Sequence, residues 1–200
     1  MKKTIIFLSA IILSSITFEG CFKKGPDDPF ISLRTRKARV VGDWTISSGS
    51  GTKPNSSTWT YANPTLTTTN GSTTTTENVI YKYSFKKDGT WASTTTTTGT
   101  MLGQSYSDVI SASGTWDLGG GIGSVKKETE LMSSTLSSTD VQTIGSGSST
   151  TTTTTYTGQE NISIMDIDEL KNKTMILKWS NSSTSGSNTN ADSGQYTLTQ

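Results

Sequence analysis

The chain has 200 residues, with 17 Lys and Arg against 16 Asp and Glu, one cysteine and no histidine, for a formal net charge of +1. Near-neutrality gives no electrostatic case for a nucleic-acid partner or for attraction to an anionic membrane surface. The missing histidine removes Ser-His-Asp and Cys-His catalysis and the usual zinc sites, so no catalytic residue, metal or cofactor is expected. Only 30% of the residues are hydrophobic. Five Trp, six Tyr and five Phe nevertheless supply the large burial that disordered chains lack, and the abundant β-branched threonine favours strands. The composition reads as all-β.

Residues 1–20 read as an export signal. Lys2 and Lys3 form a short basic start, and Thr4 to Ile16 is a mostly apolar run. That run is too short for a transmembrane helix, which needs roughly 20 apolar residues. Gly20-Cys21 closes the segment and resembles the lipobox of bacterial lipoproteins, in which cleavage leaves an acylated cysteine as the first residue. Cys21 is therefore the expected lipidation site; the alternative is an ordinary signal peptide with a free thiol. Several acyl chains burying methylenes at about 0.8 kcal/mol each would anchor the chain durably. Residues 21–36 are expected to form the lipidated start and a flexible tether. Asp27 and Asp28 near the cysteine resemble signals that send some lipoproteins to the outer face of the outer membrane. Removal of residues 1–20 takes away Lys2, Lys3 and Glu19 and leaves the charges balanced.

The domain is expected over residues 37–200. Arg34 to Arg39 is a basic run that fits one helical turn. Gly42-Asp43-Trp44-Thr45-Ile46 opens a first strand, with Trp44 and Ile46 alternating with polar neighbours. Residues 47–58 read as a loop, and Trp59 to Thr69 as a second strand broken by Asn63-Pro64. Val79, Tyr81, Tyr83 and Phe85 alternate with Ile80, Lys82, Ser84 and Lys86, the clearest strand in the chain. Asp88-Gly89 then predicts a two-residue hairpin turn. That turn would place Phe85 opposite Ala92, Tyr83 opposite Thr94 and Tyr81 opposite Thr96, with Thr98 next on the same face.

Further strands are expected over Val109 to Leu118, Val125 to Met132 and Thr139 to Ile144, with "GGGIGS" as a turn between the first two. Thr150 to Ile167 reads as one long strand with Ile162, Ile164 and Tyr156 on one face. Thr174 to Trp179 returns after "DELKNK", residues 180–193 read as a polar loop, and "GQYTLTQ" ends the chain as a last strand. Eight to ten strands joined as neighbours predict an up-and-down antiparallel β-barrel. The threonine runs also admit a glycosylated or disordered stalk, but such stalks carry proline and this chain has four.

Gly42-Asp43-Trp44, "YKYSFKKDGTW", "GTWDL" and "IDELKNKTMILKW", in that order, resemble the lipocalin-like domain of many Gram-negative lipoproteins. The resemblance implies a barrel with Gly42 and Trp44 closing one end. It implies no enzyme but a protein binding a small ligand or glycan in the barrel. Tyr81, Tyr83, Phe85 and Trp59 are the candidate ligand contacts, although Trp59 is equally readable as core. The partners expected are the membrane, through the lipid, and that ligand, with an envelope protein as the alternative. In that alternative the barrel is filled and a surface lipoprotein contacts another protein. Asp166-Ile167-Asp168-Glu169 is the best polar cluster, and its plain reading is a solvated turn.

Overall fold

Strand dominates the computed structural model, which describes residues 34–54, 57–120, 129–145, 148–156, 161–185 and 188–200. Among the described residues one helix, α1 (Arg36–Val40), precedes eleven strands. These are β1 (Gly42–Thr52), β2 (Thr58–Ala62), β3 (Thr65–Asn70), β4 (Thr73–Phe85), β5 (Thr90–Met101) and β6 (Gln104–Gly119). They continue with β7 (Glu130–Ile144), β8 (Ser148–Thr155), β9 (Ile162–Leu170), β10 (Thr174–Ser185) and β11 (Asn188–Thr199). Every neighbouring pair is antiparallel. Ten strands close into a ring when β11 pairs with β1, and β8 hangs from β7 outside that ring. Cys21 and most of the tether lie outside the described residues.

The ring changes width along its axis because two strands switch partners. Gly42–Thr45 of β1 pairs with Lys82–Phe85 of β4, whereas Ser48–Thr52 pairs with β2. The switch falls at an irregularity between Ile46 and Ser48, where the Asn63 amide donates to the Ser47 carbonyl at 3.0 Å. The β2–β3 hairpin, turning at a cis Asn63-Pro64 bond, thus enters from the far end and stops midway. On the other side, β7 pairs with β9 over Glu130–Ser134 and with β8 over Ser137–Ile144. Eight staves therefore surround the end nearest α1, and extra strands widen the opposite end.

Helix α1 packs against the narrow end. Thr35 Oγ1 accepts from the Ala38 amide at 3.1 Å, an N-cap of the kind that starts short helices. Arg39 Nη1 donates to the Leu170 carbonyl at 2.6 Å, and Trp44 Nε1 donates to the Val40 carbonyl at 2.7 Å. Gly42, with φ of 146°, takes a conformation that side-chain-bearing residues rarely adopt, as the chain leaves the helix for β1. Val40, Trp44, Ile46, Leu170, Met175 and Leu198 are the most completely buried apolar side chains. The core thus sits at the helix end, with Trp44 within it.

Several boundaries differ from expectation, mostly where polar residues proved to be strand. β1 runs on through Thr52, into the segment read as a loop, and "TWTYANPTLTTTN" forms two strands rather than one. Thr139 to Ile144 belongs to the same continuous strand as Glu130 to Met132; "GGGIGS" and Val125 lie largely outside the described residues. Thr150 to Ile167 is two strands that pair with different stretches of β7. Ile162 and Ile164 point outward and are 43% and 53% exposed, because Met165 and Ile167 occupy the inner face. The described residues of the polar 180–193 stretch belong to a β10–β11 ladder that runs from Thr174↔Thr199 to Ser185↔Asn188.

Candidate functional site

The β4–β5 hairpin sets the inner wall, and its register departs by one residue from the expected one. Phe85 pairs with Trp91, Tyr83 with Ser93, Tyr81 with Thr95 and Val79 with Thr97. The cause is the turn. The Lys86 amide donates to the Thr90 carbonyl at 2.9 Å and the Gly89 amide to the Lys86 carbonyl at 3.2 Å. Gly89 takes a φ of 83°. This is a three-residue hairpin loop whose last residue is left-handed. Asp88 locks it by accepting from both the amide and the hydroxyl of Thr90, at 2.9 and 2.7 Å. One added loop residue exchanges the faces of β5, so Trp91 and Ser93 turn inward while Ala92, Thr94, Thr96 and Thr98 do not share the face of Tyr81 and Tyr83.

All four sequence-derived contact residues face the lumen, but they divide between two levels. Tyr83 stacks on Phe85 at 6.2 Å, and Phe85 meets Trp116 edge-on at 5.4 Å. Toward the wide end, Tyr81 meets Tyr61 edge-on at 5.2 Å and approaches Tyr196 at 6.2 Å. Trp59 is buried, stacked on Trp179 at 5.8 Å and tilted against Tyr196 at 5.3 Å. An exposed Trp59 is thereby excluded.

Glycines make room for these rings. Gly51 stands opposite both Trp59 and Gly194, and Gly194 stands opposite Trp179. A Cβ at Gly194 would lie 2.6 Å from the Trp179 ring and 2.8 Å from that of Trp59. The indoles therefore lie flat on bare backbone. The Trp179 indole N–H, at the wide end, donates to Asp192 at 3.3 Å.

Between the two aromatic levels lies a cavity of about 170 Å³. One part of its wall is apolar, from Ile46, Phe85, Trp91, Leu131, Met165, Leu177 and Leu198; the rest carries hydroxyls from Tyr83, Tyr196, Ser93, Ser133, Thr135 and Ser163. Among the described residues, no charged side chain lines it. Burial, with Tyr81 beside it, pushes the Tyr83 phenol up to about 12. Burial, reinforced by Tyr83, Tyr81 and Tyr61, raises the Tyr196 phenol further above its ordinary value. Both phenols are thus neutral donors at any physiological pH. Trp91 points its indole N–H away, to the Ser134 carbonyl at 3.1 Å.

Sequence reasoning missed Tyr196, Ser93, Ser133, Thr135 and Ser163. Tyr196 was legible as one member of an alternating strand, but its approach to Tyr81 depends on β11 closing the ring. A second hollow of about 330 Å³ lies beside the exposed Asp43 and Lys82 and the half-buried Ser84 and Thr94, with Trp44 and Tyr83 also in its lining. Asp166-Ile167-Asp168-Glu169 is not the solvated turn the sequence suggests but part of β9, with Ile167 buried on the inner face and Asp168 paired with Lys178 at 2.8 Å outside. Asp108 carries a raised pKa, from burial and then from its hydrogen bond and charge repulsion with Asp140. Among the described residues no group of His, Cys, Asp or Glu is placed to hold a metal ion. No family profile, curated protein or solved structure matches the chain.

Proposed function

We propose that this is a non-enzymatic binding protein, a lipocalin-like barrel whose lumen takes a small ligand. The observation that carries the reading is the cavity of about 170 Å³ inside a closed barrel, apolar on one part of its wall and hydroxylated on the rest. Pockets that combine an apolar body with a few convergent polar groups are the usual form of small-molecule sites. The rings at both levels support it, because they hold the lumen open between them instead of filling it. In this reading the chain is an outer-membrane lipoprotein, anchored through acylated Cys21 and exposed at the cell surface. Native mass spectrometry of protein from its own host tests it. A retained mass that disappears on denaturation supports the reading, and an unliganded mass together with no binding from a host extract overturns it.

A second reading rests on a different observation. Ile162 and Ile164 stand on the outer face of β9, half-exposed, beside Met132 on the paired strand. An apolar outer strip of this kind favours an interaction lipoprotein that contacts an envelope protein. Substitution of both isoleucines by Thr, followed by cross-linking in cells, separates the two: only the interaction reading expects a lost adduct.

A further inference from the structure

We infer that the lumen takes an uncharged, hydroxyl-bearing single-ring molecule, of the chemical class of a substituted phenol. The inference rests on the reading of the lumen as a binding chamber and narrows what that chamber accepts.

Size sets the first limit. A protein cavity of about 150 Å³ lined by aliphatic and aromatic side chains takes benzene. The cavity between the Tyr83 and Tyr196 levels is about 170 Å³, which leaves room for one ring with one or two small substituents. A long acyl chain does not fit without displacing the rings above it.

Charge sets the second. Among the described residues no Lys, Arg, Asp or Glu lines the cavity, so a carboxylate or ammonium placed there would lose its hydration with no counter-ion from these walls to replace it. An anion of the same shape should therefore be rejected.

The hydroxyls set the third. Among the described residues, Tyr83, Tyr196, Ser93, Ser133, Thr135 and Ser163 make no side-chain hydrogen bond with another protein group. Ser163 is exposed, but the other five are partly shielded from solvent along one small space, and each can donate and accept. A purely apolar ring would leave them without partners, a cost a ligand hydroxyl or water removes. Phe85 and Trp91 offer aromatic surface to the rest of the ring. A phenol satisfies both parts of the wall.

The test is calorimetric titration of the purified full chain at pH 7 with p-cresol, toluene, p-toluate and palmitate. One equivalent of p-cresol should bind, about tenfold or more tighter than toluene or p-toluate, since an unmet hydrogen bond or an unpaired charge costs at least that. Tyr196→Phe should weaken p-cresol about fivefold with an unchanged circular-dichroism spectrum, and Ser133→Leu should abolish binding by filling the chamber. Should Ser133→Leu fail to fold, the Tyr196→Phe comparison decides. Toluene, p-toluate or palmitate binding as tightly as p-cresol overturns the phenol class and leaves the chamber reading standing. No binding by any probe, with Ser133→Leu as stable as wild type, marks a water-filled space and overturns both.

Discussion

Trp44 should be the most costly single side chain to truncate, and the structure supplies the terms. It is 1% exposed and lies at the narrow end, where its indole N–H holds the last carbonyl of α1. Trp44→Ala removes a fully buried ring, a change worth about 3–5 kcal/mol. Loss of the donor to Val40 adds about 1 kcal/mol. For a domain of this size each kcal/mol moves the midpoint by about 2–4 °C, so Tm should fall by roughly 10–20 °C. Trp44→Phe separates the two contributions, because it keeps most of the ring and loses only the donor; it should cost about 1–2 kcal/mol. Thermal denaturation followed by far-ultraviolet circular dichroism measures both. A fall of less than about 3 °C in the Ala variant would mean that α1 and Trp44 do not close the barrel, and the placement of the core at this end would be wrong.

Cys21→Ser should move the protein from the membrane fraction to the soluble fraction, and a wild-type chain recovered soluble with a free thiol would sink the anchor. Gly89→Ala places a side chain at a φ of 83° and should lower stability by about 1 kcal/mol, whereas Lys87→Ala in the same loop should be silent; equal effects would contradict the three-residue turn. In a spectrophotometric titration, Tyr83 and Tyr196 should stay protonated after the ordinary phenols have ionised. Their folded values lie above the unfolded value of 10, so the stability they contribute is complete below pH 10. It is lost as the pH rises through their folded values, and six phenols titrating together near pH 10 would exclude a buried pair. Asp108 also has a raised folded value, so its contribution is present below the ordinary aspartate range and declines as the pH rises. Asp108→Asn should flatten that decline in Tm between pH 3 and pH 7, and an unchanged slope would refute the coupling to Asp140.

The lower half of the barrel was legible in the sequence because its two faces differ. Val79, Tyr81, Tyr83 and Phe85 alternate against polar neighbours, and Trp44 and Ile46 do the same, so burial on one side is written directly into the order of residues. The register of the partner strand was not legible, since Asp88-Gly89 serves a two-residue turn or a three-residue one equally well. Only the Lys86–Thr90 pairing decides between them. The wide end was misread for another reason. Ser180 to Ser193 and the threonine runs are polar on both faces, so no periodic contrast marks where strand begins or ends. The pairings of Trp59 with Gly51 and of Trp179 with Gly194 join residues from remote parts of the chain, and no local pattern announces them.

The partner switch in β7 divides the barrel into parts of unequal permanence. Below Thr135 and Leu136, β7 lies between β6 and β9 in the eight-stave ring; beyond it, β8 is the outermost strand, bonded among the described residues to β7 alone. Opening β8 breaks one ladder and exposes few apolar side chains, because its residues from Ser149 to Thr155 are already exposed. Opening β9 exposes Met165, Ile167 and Leu170 and breaches the ring. Amide exchange should therefore resolve two cooperative units, a fast wide end and a slow core around Trp44. The cavity between Tyr83 and Tyr196 lies at the boundary of the two, so a molecule could enter through partial opening of the outer unit while the inner one stays folded.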